Sequence, residues 1–499
     1  MNTVSKLPFS KVLIANRGEI AVRILRACKE LNLKTVAVYS EADKNNAHVL
    51  LADEAVFIGE AEAKKSYLVV EKILAAAKET GADALHPGFG FLSENAAFAR
   101  SCKKQGIKFI GPSPEAIDLM GDKLSAREAM KKAGVPIVPG SDGALKNIKE
   151  AKDCAQKIGF PIILKAAAGG GGKGMRIANS MEELEQIFET VQREAENYFS
   201  DGTVFLERFA KDPHHIEVQI LADEHGNVTH LFERECSVQR RNQKVIEEAP
   251  SPFLVGHNDI REKLFAVAVE GARRIGYTNA GTMEFVMDGD RNFYFLEMNT
   301  RIQVEHPITE MITGIDIVKE QILIAGGHKL SFTQKELTAH GVSIQCRLYA
   351  ENPHSFLPSP GPIKELSFPG GPFTRIDSAM LPGQTIPLEY DPMIAKICTW
   401  GRNREESMNR MERALSETIV AGSLTNLEFL RRALANKIFR TGNYTTSFIK
   451  DEAETLTNPK LLPPGLTSEK ELYKLLALLS SCEHKTPEKT RPANWWRTE

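Results

Sequence analysis

Between Lys11 and Ile110 the chain alternates short apolar runs with longer stretches whose apolar residues recur at helical spacing. Lys11-Val-Leu-Ile-Ala15, Thr35-Val-Ala-Val-Tyr39, Ala55-Val-Phe-Ile58, Ala82-Asp-Ala-Leu85 and Lys108-Phe-Ile110 read as strands. The segments near 19–30, 66–80 and 95–105 read as helices between them. Apolar strands separated by helices are the pattern of a parallel, doubly wound α/β layer. The first strand-to-helix turn, Asn16-Arg-Gly-Glu-Ile20, holds one glycine and lacks G-x-G-x-x-G, which disfavours a dinucleotide site.

Downstream the pattern changes. Gly111-Pro-Ser-Pro114 and Gly134-Val-Pro-Ile-Val-Pro-Gly140 punctuate a helical stretch. The sequence therefore divides into an N-terminal α/β layer (1–110), a helical connector (111–137), a small lid (138–209), a larger α/β unit (210–450) and a tail (451–499). In the tail, Leu472, Leu475, Leu476 and Leu479 fall at helical spacing, and Trp495 and Trp496 stand near the end. Tryptophan pairs are favoured anchors at interfaces, so the tail is a candidate for docking a partner.

The most informative polar pattern is Glu297-Met-Asn-Thr-Arg-Ile-Gln-Val-Glu-His-Pro307. Glu297, Asn299, Arg301, Gln303 and Glu305 fall at every second position, so an extended chain points all five to one side. Phe293-Tyr-Phe-Leu296 before them reads as the apolar half of a strand. A solvated edge strand is the bland reading. A fully extended run would carry Glu305 about 26 Å beyond Glu297, so a common site requires the chain to bend between them. Upstream, Gly281 to Met287 and the turn formers Asp288-Gly-Asp-Arg-Asn292 make a hairpin. A four-residue loop, Gly289 to Asn292, sets Glu284 directly opposite Glu297; a five-residue loop slips the register by one. Two facing carboxylates call for a cation, and hard oxygen ligands with open positions suit Mg²⁺ carrying a nucleotide phosphate.

Lys165-Ala-Ala-Ala-Gly-Gly-Gly-Gly-Lys-Gly-Met175 follows a short β-run, Phe160 to Leu164. Its glycines can adopt φ > 0 and turn successive N–H groups towards phosphate oxygens, although a flexible linker has the same composition. It lacks the G-x-x-x-x-G-K-[ST] pattern of the usual ATPase loop.

Composition narrows the function class. The 499 residues are 42% hydrophobic and 26% charged, with a net charge of -2, so no global field recruits nucleic acid or an anionic membrane. No 18-residue apolar run occurs, and Met1 to Lys11 has no signal-like apolar core. Seven cysteines show no C-x-x-C spacing and read as reduced thiols. The expectation is a soluble, cytoplasmic protein that binds neither nucleic acid nor membrane.

The glycine loop, the Glu284/Glu297 pair, Glu233-Arg-Glu-Cys-Ser-Val-Gln-Arg-Arg-Asn-Gln-Lys244 and the opening segment together resemble biotin carboxylase, an ATP-grasp family. The match runs from residue 10 to about 450 in the family's order. The resemblance implies ATP with Mg²⁺ or Mn²⁺ as cofactor, and bicarbonate and carrier-bound biotin as substrates. It implies that Lys123, Lys165, Gly171 and Gly172 meet the phosphates, and that Glu207, Arg208, Phe209 and Ala210 form the hinge beside adenine. His215, Gln239 and Asn242 fall near the rest of the nucleotide. Glu284, Glu297 and Asn299 correspond to the metal ligands, Lys244, Arg301 and the backbone of Val304 to the bicarbonate pocket, and Glu305 to the general base. Arg347 corresponds to the arginine that stabilises the biotin enolate. The implied partners are a biotin carboxyl carrier protein, a second copy of the chain in a homodimer, and a carboxyltransferase subunit.

Two positions depart from a common family pattern: Asn242 stands where histidine is frequent, and Phe89 where tyrosine is frequent. Ala129-Met-Lys-Lys132 superficially resembles a biotin acceptor, but Ser125 to Ala133 reads as a helix of good formers, so Lys131 is expected to carry no biotin. The competing readings are another ATP-grasp ligase working through an acylphosphate, and a non-catalytic scaffold with the same fold.

Overall fold

The computed structural model describes residues 7–141, 143–166, 175–199, 202–241 and 243–458. The N-terminal layer is a five-stranded sheet of β1 (Lys11–Ile14), β2 (Lys34–Ser40), β3 (Glu54–Gly59), β4 (Ala84–His86) and β5 (Lys108–Phe109). All its pairings are parallel and the order is β3-β2-β1-β4-β5, so the doubly wound expectation holds. Val12, Leu13 and Ile14 are fully buried, as a strand covered on both faces requires. Its longer helices are Gly18–Glu30, Val70–Thr80 and Ala96–Lys104. The expected 66–80 helix begins later because Ser66, at φ −137° and ψ −95°, leaves helical space. The fourth strand also shifts, from the expected 82–85 to Ala84–His86, because Asp83 instead takes the backbone N–H groups of Ser10 and Lys11 on its carboxylate.

Strand order reverses between β1 and β4, and such a switch point opens a crevice at the strands' carboxyl ends. There Asn16 Nδ2 donates to the carbonyls of Pro87 (2.7 Å) and Phe89 (2.8 Å), fixing the loop after β4.

A small antiparallel sheet follows, in the order β7-β6-β8: β6 (Ile162–Ala166), β7 (Met175–Ala178) and β8 (Val204–Arg208). Helices Ile148–Ile158 and Met181–Phe199 cover it, with Ile162, Leu164, Leu184, Phe188 and Leu206 in a common core. Its β8 edge is tied to the segment just after the connector, where Ser141 N donates to Leu206 O and Arg208 N to Pro139 O, both at 2.8 Å. Lys131 lies in the helix Lys123–Lys132, as expected.

The largest sheet has eight strands, all antiparallel to their neighbours. Its first six in spatial order are β13 (Phe293–Asn299), β12 (Asn279–Met287), β9 (His214–Ala222), β10 (Val228–Arg240), β11 (Gln243–Ala249) and β14 (Val342–Tyr349). Strands Met393–Gly401 and Thr374–Ser378 complete it. One face packs Val218, Ile220 and Met283 against Leu264, Phe265 and Ala268 of the helix Asn258–Arg274. The other face turns its polar side chains into the cleft described below.

The β12–β13 hairpin corrects one expectation. Met287 pairs with Phe293, so the loop has five residues, Asp288–Asn292, and the register slips. A bulge then inserts Leu296 between the pairs Phe285–Phe295 and Glu284–Glu297 and restores the slip. Glu284 therefore does oppose Glu297, by a different route from the one expected. β13 also ends at Asn299, and Glu305 caps the helix His306–Thr313, so the alternating run is only half strand. Among the described residues no helix is long and apolar enough to cross a membrane.

Candidate active site

A cleft of about 2570 Å³ lies between the N-terminal layer, the connector, the small sheet and the large sheet. Phe89 of the first, Lys123 of the second, and Lys165 and Glu207 to Ala210 of the third line it. The large sheet and its following loop contribute His215, Gln239, Lys244, Glu284, Glu297, Asn299, Arg301, Val304 and Arg347. Glu305 is fully buried just behind this wall. Gly171, Gly172 and Asn242 lie outside the described residues, as do the tail leucines and tryptophans.

Lys244 is the hub. Its Nζ donates to Glu217 Oε2 (2.6 Å), Glu284 Oε1 (3.0 Å) and Glu305 Oε1 (2.6 Å). Burial opposes its charge, but three carboxylates outweigh burial and hold its pKa well above the lysine range. Glu284 also accepts from Asn299 Nδ2 (2.9 Å) and Gln303 Nε2 (2.7 Å), and its Oε2 lies 3.0 Å from His215 Nε2. Burial would raise the pKa of Glu284, yet Lys244 and His215 pull it well below the usual carboxylate range. His215 in turn is disfavoured as a cation by burial but raised above its ordinary value by Glu284.

Glu297 stands across from this group and is differently placed. Its carboxylate makes no hydrogen bond or ion pair among the described residues, and confinement together with the facing Glu284 raises its pKa. A pair of opposed carboxylates, of which Glu297 has no such partner among the described residues, with the Asn299 amide beside it, is a set of hard oxygens at the cleft wall. That chemistry fits Mg²⁺ or Mn²⁺.

On the other side of Lys244, Arg347 NH2 donates to Glu305 Oε2 at 3.0 Å, while its Nε donates to Glu247 Oε1 at 2.5 Å. Burial raises the pKa of Glu305, but Lys244, Arg347 and Arg234 draw it far below the usual range. Arg301 is held by Glu94 Oε2 (2.8 Å to Nε) and Asn299 Oδ1 (2.7 Å to NH2), so its guanidinium faces the cleft in a fixed pose.

Towards the small sheet, Glu207 accepts from Lys165 on one oxygen and from Arg127 on the other. Lys123 opens the helix Lys123–Lys132, whose N-cap Asp122 accepts from Ser125 N at 2.8 Å. Gln239 pairs with Lys244 beside the β10–β11 turn.

Four participants escape the sequence reading. Glu217 is fully buried between Lys244 and Arg234, and the latter also donates to Gln219 (2.8 Å) and Thr309 (2.9 Å). The alternation His215, Glu217, Gln219 is the same period-two signal that singled out Glu297 to Glu305, and it would have revealed Glu217. Glu94, Glu247 and Arg127 meet their partners 207, 100 and 80 positions away, and no local pattern marks them.

Residues 8–117 match the family model of the biotin carboxylase N-terminal domain and residues 345–451 that of the biotin carboxylase C-terminal domain. Residues 122–333 match the ATP binding domain of the carbamoyl-phosphate synthase L chain. The chain is 51% identical to a biotin carboxylase of Halalkalibacterium halodurans, covering 90% of this chain and 99% of that protein. It is 52% identical to biotin carboxylase 1 of Bacillus subtilis, covering 88% and 98%. Among solved structures it resembles the biotin carboxylase domain dimer of Hydrogenobacter thermophilus 2-oxoglutarate carboxylase, in complex with MgADP, ADP and bicarbonate. That likeness has a TM-score of 0.83 at 48% identity and covers 90% of this chain and 99% of the other. Fold and cleft thus define an ATP-grasp enzyme. The chain belongs to the biotin carboxylase family: it uses ATP and bicarbonate to carboxylate biotin borne on a carrier protein.

Proposed function

We propose that the cleft runs this reaction with Glu305 as general base, Lys244 and Arg301 with the Val304 backbone as the bicarbonate pocket, and Arg347 as the group that stabilises the biotin enolate. Lys123 and Lys165 meet the nucleotide phosphates, the Glu207–Ala210 segment lies against adenine, and His215 and Gln239 complete the nucleotide site. The carrying observation is Lys244, whose ammonium touches both Glu284 of the metal pair and Glu305. It joins the phosphate end of the cleft to the bicarbonate end, where the two substrates must meet. The Arg347 contact to the same Glu305 favours this reading over other ATP-grasp ligases, because it brings the biotin-side arginine onto the base that prepares bicarbonate.

Glu284, Glu297 and Asn299 would hold the divalent ion, which when bound withdraws charge from the transferring phosphoryl group. Glu305 takes the proton of bicarbonate, and the freed oxygen attacks the γ-phosphorus as ADP leaves. Carboxyphosphate then breaks into CO₂ and phosphate. The phosphate removes the N1 proton of biotin, the Arg347 guanidinium stabilises the resulting enolate, and N1 attacks CO₂. The chain works with a carboxyltransferase that passes the carboxyl group on, and pairs with a second copy of itself.

The test is ATP cleavage in the presence and absence of bicarbonate and free biotin. ADP formation that depends on bicarbonate and yields acid-labile N-carboxybiotin is expected. Cleavage indifferent to both would overturn the proposal.

A further inference from the structure

Lys396 carries the inference. It is a fully buried lysine on the strand Met393–Gly401, in register with Arg347 on β14. Directly opposed residues of an antiparallel pair leave the sheet on the same face. On that face Arg347 NH2 donates to the Glu305 carboxylate at 3.0 Å, and Lys396 Nζ donates to the Val304 carbonyl at 3.0 Å. The Val304 carbonyl and the Glu305 N–H belong to one planar peptide unit, so holding the first fixes the second. The two cations thus grip both ends of Glu305, Arg347 at the side chain and Lys396 at the incoming main chain.

We infer that Lys396 is a positioning residue for Glu305: it pins the peptide that carries the base, and through the same peptide shapes the bicarbonate pocket at Val304. This rests on the reading of Glu305 given above. A buried ammonium needs compensating charge. Asp377 Oδ2 lies 3.5 Å away, but Asp377 is already clamped by Arg375 Nε (3.0 Å) and NH2 (2.9 Å). Glu19, from the helix Gly18–Glu30, lies 2.9 Å from Nζ and has no other ion pair among the described residues. Charge balance is thus met chiefly by Glu19, and the contact to Val304 serves a different end.

That separation defines the test. Lys396→Met leaves Glu19 uncompensated and destabilises the fold, whereas Lys396→Met combined with Glu19→Gln removes both charges and leaves Asp377 on Arg375. The expected result is that the double variant recovers the melting temperature but not catalysis. Bicarbonate-dependent ATP cleavage stays down by about tenfold to a hundredfold, as misplacing a reacting group costs, with KM for ATP unchanged. Glu19→Gln alone keeps Lys396 on Val304 and is expected to be active. Wild-type kcat in the double variant, or an equal loss in Glu19→Gln alone, would overturn the inference. Glu305→Gln is measured alongside: full activity there would sink the role given to Glu305 rather than that of Lys396.

Discussion

Lys244 and Glu305, 61 positions apart in the chain, are joined by a 2.6 Å hydrogen bond with almost no solvent contact at either side chain. The same ammonium serves Glu217 and Glu284, so one side chain is shared by three gathered carboxylates, which Arg234, Arg347 and His215 also contact. Replacing it leaves three buried carboxylates short of one shared cation, and breaking a buried pair typically costs about 3–5 kcal/mol. Lys244→Met is therefore expected to be strongly destabilised near neutral pH. The deficit should shrink as pH falls, because the stranded carboxylates then have raised pKa values and stability returns on their protonation. Denaturant unfolding of both proteins across pH 4 to 8 checks this; a deficit independent of pH would contradict it.

Glu297 shows the opposite balance. Its raised pKa means that its charge opposes folding at neutral pH, because the unfolded chain holds that charge more cheaply. Glu297→Gln should hold or raise the melting temperature while cutting kcat by about 10² or more, the scale for losing one preorganised charge at the reacting centre. It should also raise the Mg²⁺ concentration for half-maximal rate. Loss of stability without a change in metal dependence would count against its place in the metal site.

The facing of Glu284 and Glu297 also shows what the sequence can and cannot carry. Period-two polarity marks both strands, but Leu296 is an ordinary apolar residue, and nothing in it announces the bulge that sets the final register. Alternation likewise gathers Glu297, Asn299, Arg301, Gln303 and Glu305 although the strand stops at Asn299, because the bend and the helix start at His306 carry Glu305 back towards Lys244. The parallel layer was legible because its strands are short, apolar and punctuated by helices. Glu94 and Glu247 were not, since a carboxylate far along the chain from its arginine leaves no periodic trace.

Acid should loosen the fold through buried neutral histidines. Burial pushes His86 down to about 3 and His48 and His230 down to about 4. Nδ1 of His86 accepts from Gly88 N (3.0 Å) and that of His230 from Phe232 N (3.3 Å), bonds that a protonated ring loses. With folded pKa values depressed, the unfolded state binds more protons, so stability is full above the unfolded pKa near 6.5 and falls as pH drops towards 4. Each histidine contributes a slope of up to about 1.4 kcal/mol per pH unit in that window. Melting temperatures from pH 7 to 4 should decline accordingly, and less steeply in His48→Gln; a flat profile would contradict the assignment.

Arg347→Ala should abolish transfer to biotin more severely than it weakens nucleotide binding, because the guanidinium lies on Glu305 and Glu247 at the bicarbonate end. A drop of roughly 10²–10³ in carboxylation is the scale for one such charge. Equal losses of ATP affinity and carboxylation would remove Arg347 from the role given to it.

The most direct test of the central claim follows an oxygen atom. With ¹⁸O-labelled bicarbonate, MgATP and free biotin, attack of bicarbonate on the γ-phosphorus leaves one bicarbonate oxygen on phosphate after carboxyphosphate breaks down. Mass spectrometry is expected to find one labelled oxygen in each inorganic phosphate released by the wild-type protein. Glu305→Gln should lose labelled phosphate and N-carboxybiotin together. Phosphate free of label in the wild-type reaction would contradict the account.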